Sequence, residues 1–284
     1  MSLIPALQKD DALLADIRRS VSETRGFRLW WLGQSGFLLQ WQGKHVLFDP
    51  YLSDSLTAKY ANTDKPHVRL SERVIDPAQL DMIDIVTSSH HHTDHLDGET
   101  LLPLRRANPR LRFLIPEAHR AFVSERTQWA LDFPVGISDG QRVEMEGFTF
   151  EAVPAAHNTI ERDEHGNGKY IGLVVSFGPH KIYHSGDTLW YEGIVETLRP
   201  FGVDVALLPI NGNRSERRVA GNLNYEEAAR LGKAIGARLT IPHHYHLFAF
   251  NTEDPQNFER AAHQHGIAYR VLAHGEEISV GVEE

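Results

Sequence analysis

Between residues 90 and 95 the chain reads His90-His91-His92-Thr93-Asp94-His95, a run of imidazoles closed by a carboxylate and a further imidazole. It follows the apolar stretch Asp84-Ile85-Val86-Thr87 and precedes Asp97-Gly98 and a segment bearing Glu99, Leu101, Leu102 and Leu104. That pattern puts the run on a loop between a buried strand and a helix. Side chains of an extended segment repeat their direction every second residue, so His90 and His92 can share one cation while His91 points away. Asp94 and His95 lie one turn further on and can face a second cation, since two-metal sites hold their ions roughly 3.5–4 Å apart. A fold organised by such a loop must bring further donors to it, whereas a histidine-rich surface loop needs none.

Further donors follow in order. His157 ends the apolar run Phe148, Phe150, Val153, Pro154, Ala155, Ala156; Asp187 follows Lys181-Ile182-Tyr183-His184-Ser185-Gly186; His244 follows Ala237-Arg238-Leu239-Thr240-Ile241-Pro242. Each reads as a strand that ends in a metal-ligand type. A single histidine in that position is usually a satisfied side chain, but four strand ends carrying only imidazole and carboxylate form a donor set suited to divalent cations. His243, beside His244, should point the opposite way, and His184 reads as a hydrogen-bond partner behind the ligands.

The HxHxDH run, His157, the Ser185-Gly186-Asp187-Thr188 turn and His244 together resemble the metallo-β-lactamase superfamily of metal-dependent hydrolases. The resemblance covers nearly the whole chain after residue 26. It implies an α/β protein built as a four-layer αβ/βα sandwich, with a first cation on His90, His92 and His157, a second on Asp94, His95 and His244, and Asp187 bridging them. A narrower resemblance, to the L-ascorbate-6-phosphate lactonase branch, is carried by Trp31-Leu32-Gly33-Gln34-Ser35-Gly36-Phe37, Asp49-Pro50-Tyr51-Leu52-Ser53-Asp54, Leu208-Pro209-Ile210-Asn211-Gly212 and Gly221-Asn222-Leu223-Asn224-Tyr225-Glu226-Glu227-Ala228. That branch implies manganese where the wider superfamily favours zinc, a lactone of a small anionic, sugar-phosphate-like compound as substrate, and a homo-oligomer.

Composition narrows the field further. The net charge of −9 disfavours a nucleic-acid partner, whose backbone needs a concentrated basic face. Absence of cysteine removes every disulfide and thiolate ligand. No apolar h-region precedes Lys9-Asp10-Asp11, and no stretch approaches the roughly 18–20 apolar residues of a membrane span, so a cytoplasmic protein without a membrane partner is expected.

Along the chain, residues 1–25 read as an N-terminal helix, amphipathic over 6–21 through Leu7, Leu13, Leu14 and Ile17, that belongs to a single domain completed by residues 26–284. Strands are expected over 28–32, 36–42 and 45–49 with a tight turn at Gln42-Gly43, then over 170–177, 181–184 and 203–210; helices over 117–125 and 192–198. Asn224 followed by Glu227 has the form of a capping box opening a helix through Ala228, Leu231 and Ile235. Residues 51–73 read as an irregular loop forming a pocket wall, and 158–169 as a lid leaving from His157.

A water held by these cations would ionise near neutral pH and attack the substrate, while Asp94 orients it and then carries the proton to the leaving oxygen. Tyr245 is the expected donor to the oxyanion or leaving group, with His246 beside it. Arg214 and Arg217, clustered with Arg218, and the nearby Asn211 are the expected contacts to an anionic substrate. Three functions stand: a metal-dependent lactonase or related hydrolase, a two-metal phosphodiesterase acting on a phospholipid or cyclic phosphate, and a silent metal-binding scaffold.

Overall fold

The computed structural model describes residues 2–22 and 25–281; the remaining residues of the two expected chain segments lie outside the described ones. The chain opens with helix α1 (Asp10–Ser20) and a meander of β1 (Phe27–Gly33), β2 (Gly36–Trp41) and β3 (Lys44–Phe48). The short helix α2 (Ser55–Tyr60) leads to β4 (Ile85–Thr87), α3 (Gly98–Ala107), β5 (Arg112–Pro116), α4 (Arg120–Thr127) and β6 (Val135–Ile137). The second half runs β7 (Arg142–Met145), β8 (Phe148–Pro154), β9 (Ile171–Phe177), β10 (His180–His184), α5 (Ile194–Leu198), β11 (Val205–Pro209), α6 (Tyr225–Ile235), β12 (Leu239–His243), α7 (Pro255–His265) and β13 (Glu277–Val280).

These strands form two sheets, ordered β13-β1-β2-β3-β4-β5-β6 and β12-β11-β10-β9-β8-β7. Each sheet is antiparallel on one side and parallel on the other, the change falling at β3 in the first and at β10 in the second. Period-two alternation decides which side chains meet. Phe27, Leu29, Trp31, Phe37, Leu39, Val46 and Phe48 face the second sheet and share its core with Ile194 of α5, Leu231 of α6 and Phe258 of α7. The intervening Trp30, Leu32, Leu38 and Leu47 face the other way, onto Leu13 and Ile17 of α1, Leu101 and Leu104 of α3 and Val123 of α4. Helix, sheet, sheet and helix thus stack in four layers, as expected, because both sheets are apolar on both faces and each outer face needs a helical cover.

Local departures have visible causes. The helix expected over 6–21 starts only at Asp10. The backbone before it is already committed: Ile4 N–H donates to Leu70 O, Leu7 N–H to His274 O and Asp10 N–H to Val74 O. Leu7 is therefore exposed while Leu13 and Ile17 are buried. Residues 51–73 are not wholly irregular, since they contain α2. The Gln42-Gly43 turn has positive φ at both residues, as a two-residue hairpin requires. The capping box forms as read: Asn224 Oδ1 accepts from Glu226 N–H and Glu227 N–H, and Glu227 Oε2 accepts from Asn224 N–H. Replacing Asn224 by alanine orphans two amide donors, and chemical denaturation should show a loss of about 1 kcal/mol with the cooperative transition retained.

His274 is buried against Trp31, ring centroids 4.4 Å apart, in space left by Gly33, whose backbone turns at φ +102°. Burial, with His246 and Arg69 adding to it, pushes its pKa down to about 3. The folded chain thus holds His274 neutral while the unfolded chain charges it near 6.5, so stability drains away as pH falls from about 6.5 toward about 3. In urea unfolding at pH 6.5 and pH 4.5, His274→Phe should lose about 2 kcal/mol less across that interval than the parent. An identical acid slope in the two proteins would mean that His274 is already charged when folded.

Candidate metal centre

Strands of both sheets that run in a common direction, among them β8 on the antiparallel side, end at one edge of the sandwich, and the loops that follow them carry the polar side chains. Asp49 follows β3, the His90–His95 loop follows β4, His157 follows β8, Asp187 follows β10 and His244 follows β12. Turn chemistry then holds each donor. In the loop after β4, His95 N–H and Leu96 N–H both donate to His92 O, Ser88 Oγ donates to His95 O, and Asp97 caps α3 through Glu99 N–H and Thr100 N–H. Arg126 on α4 braces the loop from outside by donating to Leu96 O at 2.6 Å. His157 is set beside Asp187 by a short cross-link, with Ala156 N–H donating to Thr188 Oγ1 and Leu189 N–H to Ala156 O.

All the expected ligands meet here. His90, His92 and His157 form one group and Asp94, His95, Asp187 and His244 another, each compact enough to surround a metal ion. His90 Nε2 lies 3.1 Å from His92 Nδ1. Asp187 Oδ1 lies 3.3 Å from His95 Nε2, while Asp187 Oδ2 lies 3.4 Å from His244 Nε2 and 3.6 Å from His157 Nε2. One carboxylate therefore touches both groups. Ligand atoms about 2.1 Å from a common ion stand about 3.0 Å apart at right angles and about 3.4 Å apart at tetrahedral angles, which matches these separations. His95 Nε2 and Asp187 Oδ1 are buried without a hydrogen-bond partner, as donors kept for a cation would be.

The far side of each ring fixes which nitrogen faces inward. His95 Nδ1 donates to Asp49 Oδ2 at 2.6 Å and His157 Nδ1 to Gly221 O at 2.8 Å, leaving both Nε2 atoms for the centre. Asp49 could itself count as a ligand by distance, with His90 and His95. Its carboxylate is already engaged by Ser89 N–H, Ser89 Oγ and His95, so it orients the ring instead. Burial lowers the pKa of every ring here, but around His244 the Asp187 and Asp94 carboxylates outweigh it and raise the value to about 9. His95 is raised by the same pair, whereas His90, among other imidazoles, is held well below its ordinary value by burial and by His95. A centre whose carboxylates draw positive charge and whose clustered rings resist protons has the electrostatics of a cation site.

A cavity of about 480 Å³ opens over these residues. Its walls are Leu56, Lys59, Tyr60, Lys65 and His67 from the segment after β3, Arg218 to Ala220 opposite, and Phe122, Phe250 and Asn251. The first expected loop is thus a wall. The second is not: residues 158–169 fold back on themselves through Arg162, which pairs with Asp139 and bridges to Gly168, and none of them lines the cavity.

Several expected functional residues sit elsewhere. Tyr245 is 1% exposed, donates its hydroxyl to Leu272 O at 2.6 Å and packs on Trp31, so it has no access to a substrate. Asn211 is buried, donating to Asn251 and accepting from Asn222. Arg217 Nη2 donates to Thr252 O and Nη1 to Asn251 Oδ1, and Arg214 pairs with Glu253 beside a separate surface dent. Of that arginine cluster only Arg218 reaches the cavity. His184 stands behind the ligands as a hydrogen-bond partner of the turn: its Nδ1 accepts from Gly186 N–H beside Asp187, its Nε2 donates to Ser35 O, and its ring stacks between Phe48 and His243. Sequence reasoning leaves Asp49 and Gln34 without a role at the centre. The strand-end rule that selects His157 and Asp187 would also have selected Asp49; nothing local marks Gln34.

A family description for a beta-lactamase superfamily domain matches residues 44–245. The UPF0173 metal-dependent hydrolase of Opitutus terrae is 30% identical over 260 residues, covering 89% of this chain and all of that protein. Among solved structures, Igni18, a metallo hydrolase of Ignicoccus hospitalis, superposes with a TM-score of 0.66 at 22% identity over 90% of this chain and 99% of its own. An isothiocyanate hydrolase from Delia radicum gut bacteria gives 0.70 at 20% identity, over 89% and 99%. These two establish a shared fold. With the donor sets in place and most of the length matched, the chain belongs to the metallo-β-lactamase superfamily and, within it, to the UPF0173 family of metal-dependent hydrolases.

Proposed function

We propose that the centre holds two divalent cations, manganese or zinc, and that the chain hydrolyses a lactone or related ester of a small anionic compound. The observation that carries the two-cation reading is the Asp187 carboxylate, whose two oxygens face different histidines of the two groups. When bound, such cations lower the pKa of coordinated water from 15.7 toward about 7 and polarise a carbonyl or phosphoryl oxygen. The rest falls to the protein. Both Asp94 and Asp187 line the cavity, and Asp94 is the more exposed, at 17% against 4%. Without cations the neighbouring His95 and His244 outweigh burial and hold the Asp94 carboxyl below the ordinary carboxylate range; as a carboxylate it would accept a proton and pass it to the leaving oxygen.

Substrate charge is read from the walls. Lys59, Lys65, Arg126 and Arg218 line the cavity, Arg218 also pairing with Asp64, and among the described residues the lining carboxylates are the two ligands Asp94 and Asp187. Tyr60, Phe122 and Phe250 add apolar surface that excludes water from the bound compound. The lactonase resemblance fits this chemistry, because a lactone's leaving alkoxide stays tethered and needs a proton only at the end. A phosphodiester would use the same donors. A silent scaffold has least support, since neither donor group lacks a member.

Metal analysis of the purified protein, paired with a panel of phosphorylated lactones and phosphodiesters after loading with manganese or zinc, tests this reading. Two cations per chain with lactone turnover is the expected result, and diester turnover alone would replace the substrate class. Asp187→Ala should fall well below two cations and lose at least about 100-fold in rate, because both groups share that carboxylate. Retention of both metals and full activity would remove Asp187 from its bridging place.

The wall cations predict a different signature. Lys59→Ala combined with Arg218→Ala should raise KM for an anionic lactone about 10-fold with kcat nearly unchanged, since both lie away from the reacting centre. An unchanged KM would separate substrate charge from these side chains.

A further inference from the structure

Gln34 lies in the turn from β1 into β2, just after the register break between Trp31 and Gly33. Its backbone adopts φ +50°, a left-handed conformation that glycine or asparagine takes more easily. Its side chain is 1% exposed, so a polar group has been placed out of water at a position already strained. Local structure offers no return for either cost. The carboxamide does not cap a helix or pair with a strand; its Nε2 donates to Asp94 Oδ2 at 2.8 Å and lies 3.0 Å from His244 Nε2. The main chain is fastened at the same point, with Gln34 O accepting from both Trp31 Nε1 and His244 N–H. Oε1 is buried without a partner.

From this geometry we infer that Gln34 is a positioning residue for one half of the centre. It holds the Asp94 carboxylate by one oxygen and fixes the backbone that presents His244, so that both are set for a cation before it arrives. The inference rests on the two-cation reading. Gln34 has no hydrogen bond to His90, His92 or His157, whose partners are Ser89, one another, Gly221 and Asp187. Gln34 should therefore govern the affinity of the Asp94, His95 and His244 group alone. An Asp94 free to rotate also loses the orientation it needs for proton transfer, so the residue acts on both binding and turnover through its neighbour.

The test is a manganese titration of chelator-stripped protein by calorimetry, comparing the parent with Gln34→Leu and Gln34→Asn. Leucine keeps the bulk and removes the donor. Asparagine accepts the left-handed backbone readily and shortens the reach, so it keeps the comparison meaningful if leucine fails to fold. Both variants should bind two ions, with one dissociation constant weakened 10- to 100-fold and the other changed less than about 2-fold. General damage would weaken both constants, since Asp187 belongs to both groups. Two unaltered constants in folded variants would overturn the role of Gln34 and leave the two-cation reading intact. A single binding event in the parent itself would overturn that reading, and this inference with it.

Discussion

A buried carboxylate surrounded by imidazoles, Asp187 among His95, His157 and His244, is the arrangement on which the edge of the sandwich depends. An isolated charge there would be expensive, and its cost is offset only if several strands deliver partners to the same point. No single sheet can do that. Asp187 and His244 leave the second sheet, while His95 leaves the first through the loop after β4, so the two sheets must pack with their parallel ends aligned. Packing of the inner faces through Phe37, Phe48, Leu173 and Leu207 sets the distance between the layers, and the polar cluster sets their register.

Strain gathers at the same edge. Gln34, Asp49 and His244 all have positive φ although none is glycine. Each stands at a strand end where the chain must reverse direction while aiming a polar side chain inward, and a relaxed turn would send that side chain outward. The surrounding hydrogen bonds hold these conformations: Asp49 N–H donates to Thr87 O, His244 N–H to Gln34 O and Ile210 N–H to His243 O. Apolar burial on four layers supplies the surplus that such local costs draw upon.

Much of this is legible in the sequence because strand ends are marked by a change from apolar to donor residues, and because His90 and His92 declare their spacing. The ligand-type residues and the helix capped by Asn224 come from short-range pattern, whereas the two-sheet architecture comes from the superfamily resemblance, since periodicity alone gives only an α/β chain. Assignments made from neighbourhood in the sequence fared worse. Tyr245 reads as a donor through its position beside His244, but a residue one step along an extended chain faces the opposite side, here the Trp31 and Leu272 core. Arg214 and Arg217 read as a basic patch, yet their guanidiniums are spent on Glu253, Asn251 and Thr252, contacts 34 to 39 residues away that no local window contains. Gln34 reaches Asp94 across 60 residues, and His244 across 210, for the same reason.

The distribution of charge follows a similar logic. A chain of net charge −9 would repel an anionic substrate at long range, but ionic screening confines that repulsion to about 8–10 Å. Within the cavity Lys59, Lys65, Arg126 and Arg218 stand on the walls beside the Asp94 and Asp187 carboxylates, and Arg218 is itself paired with Asp64. Lys65 and Arg218 are also tied together, the ammonium donating to the Arg218 carbonyl, so the segment after α2 and the loop before α6 meet across the opening. An anion entering the cavity would thus meet these cations where solvent is thin and field lines are focused.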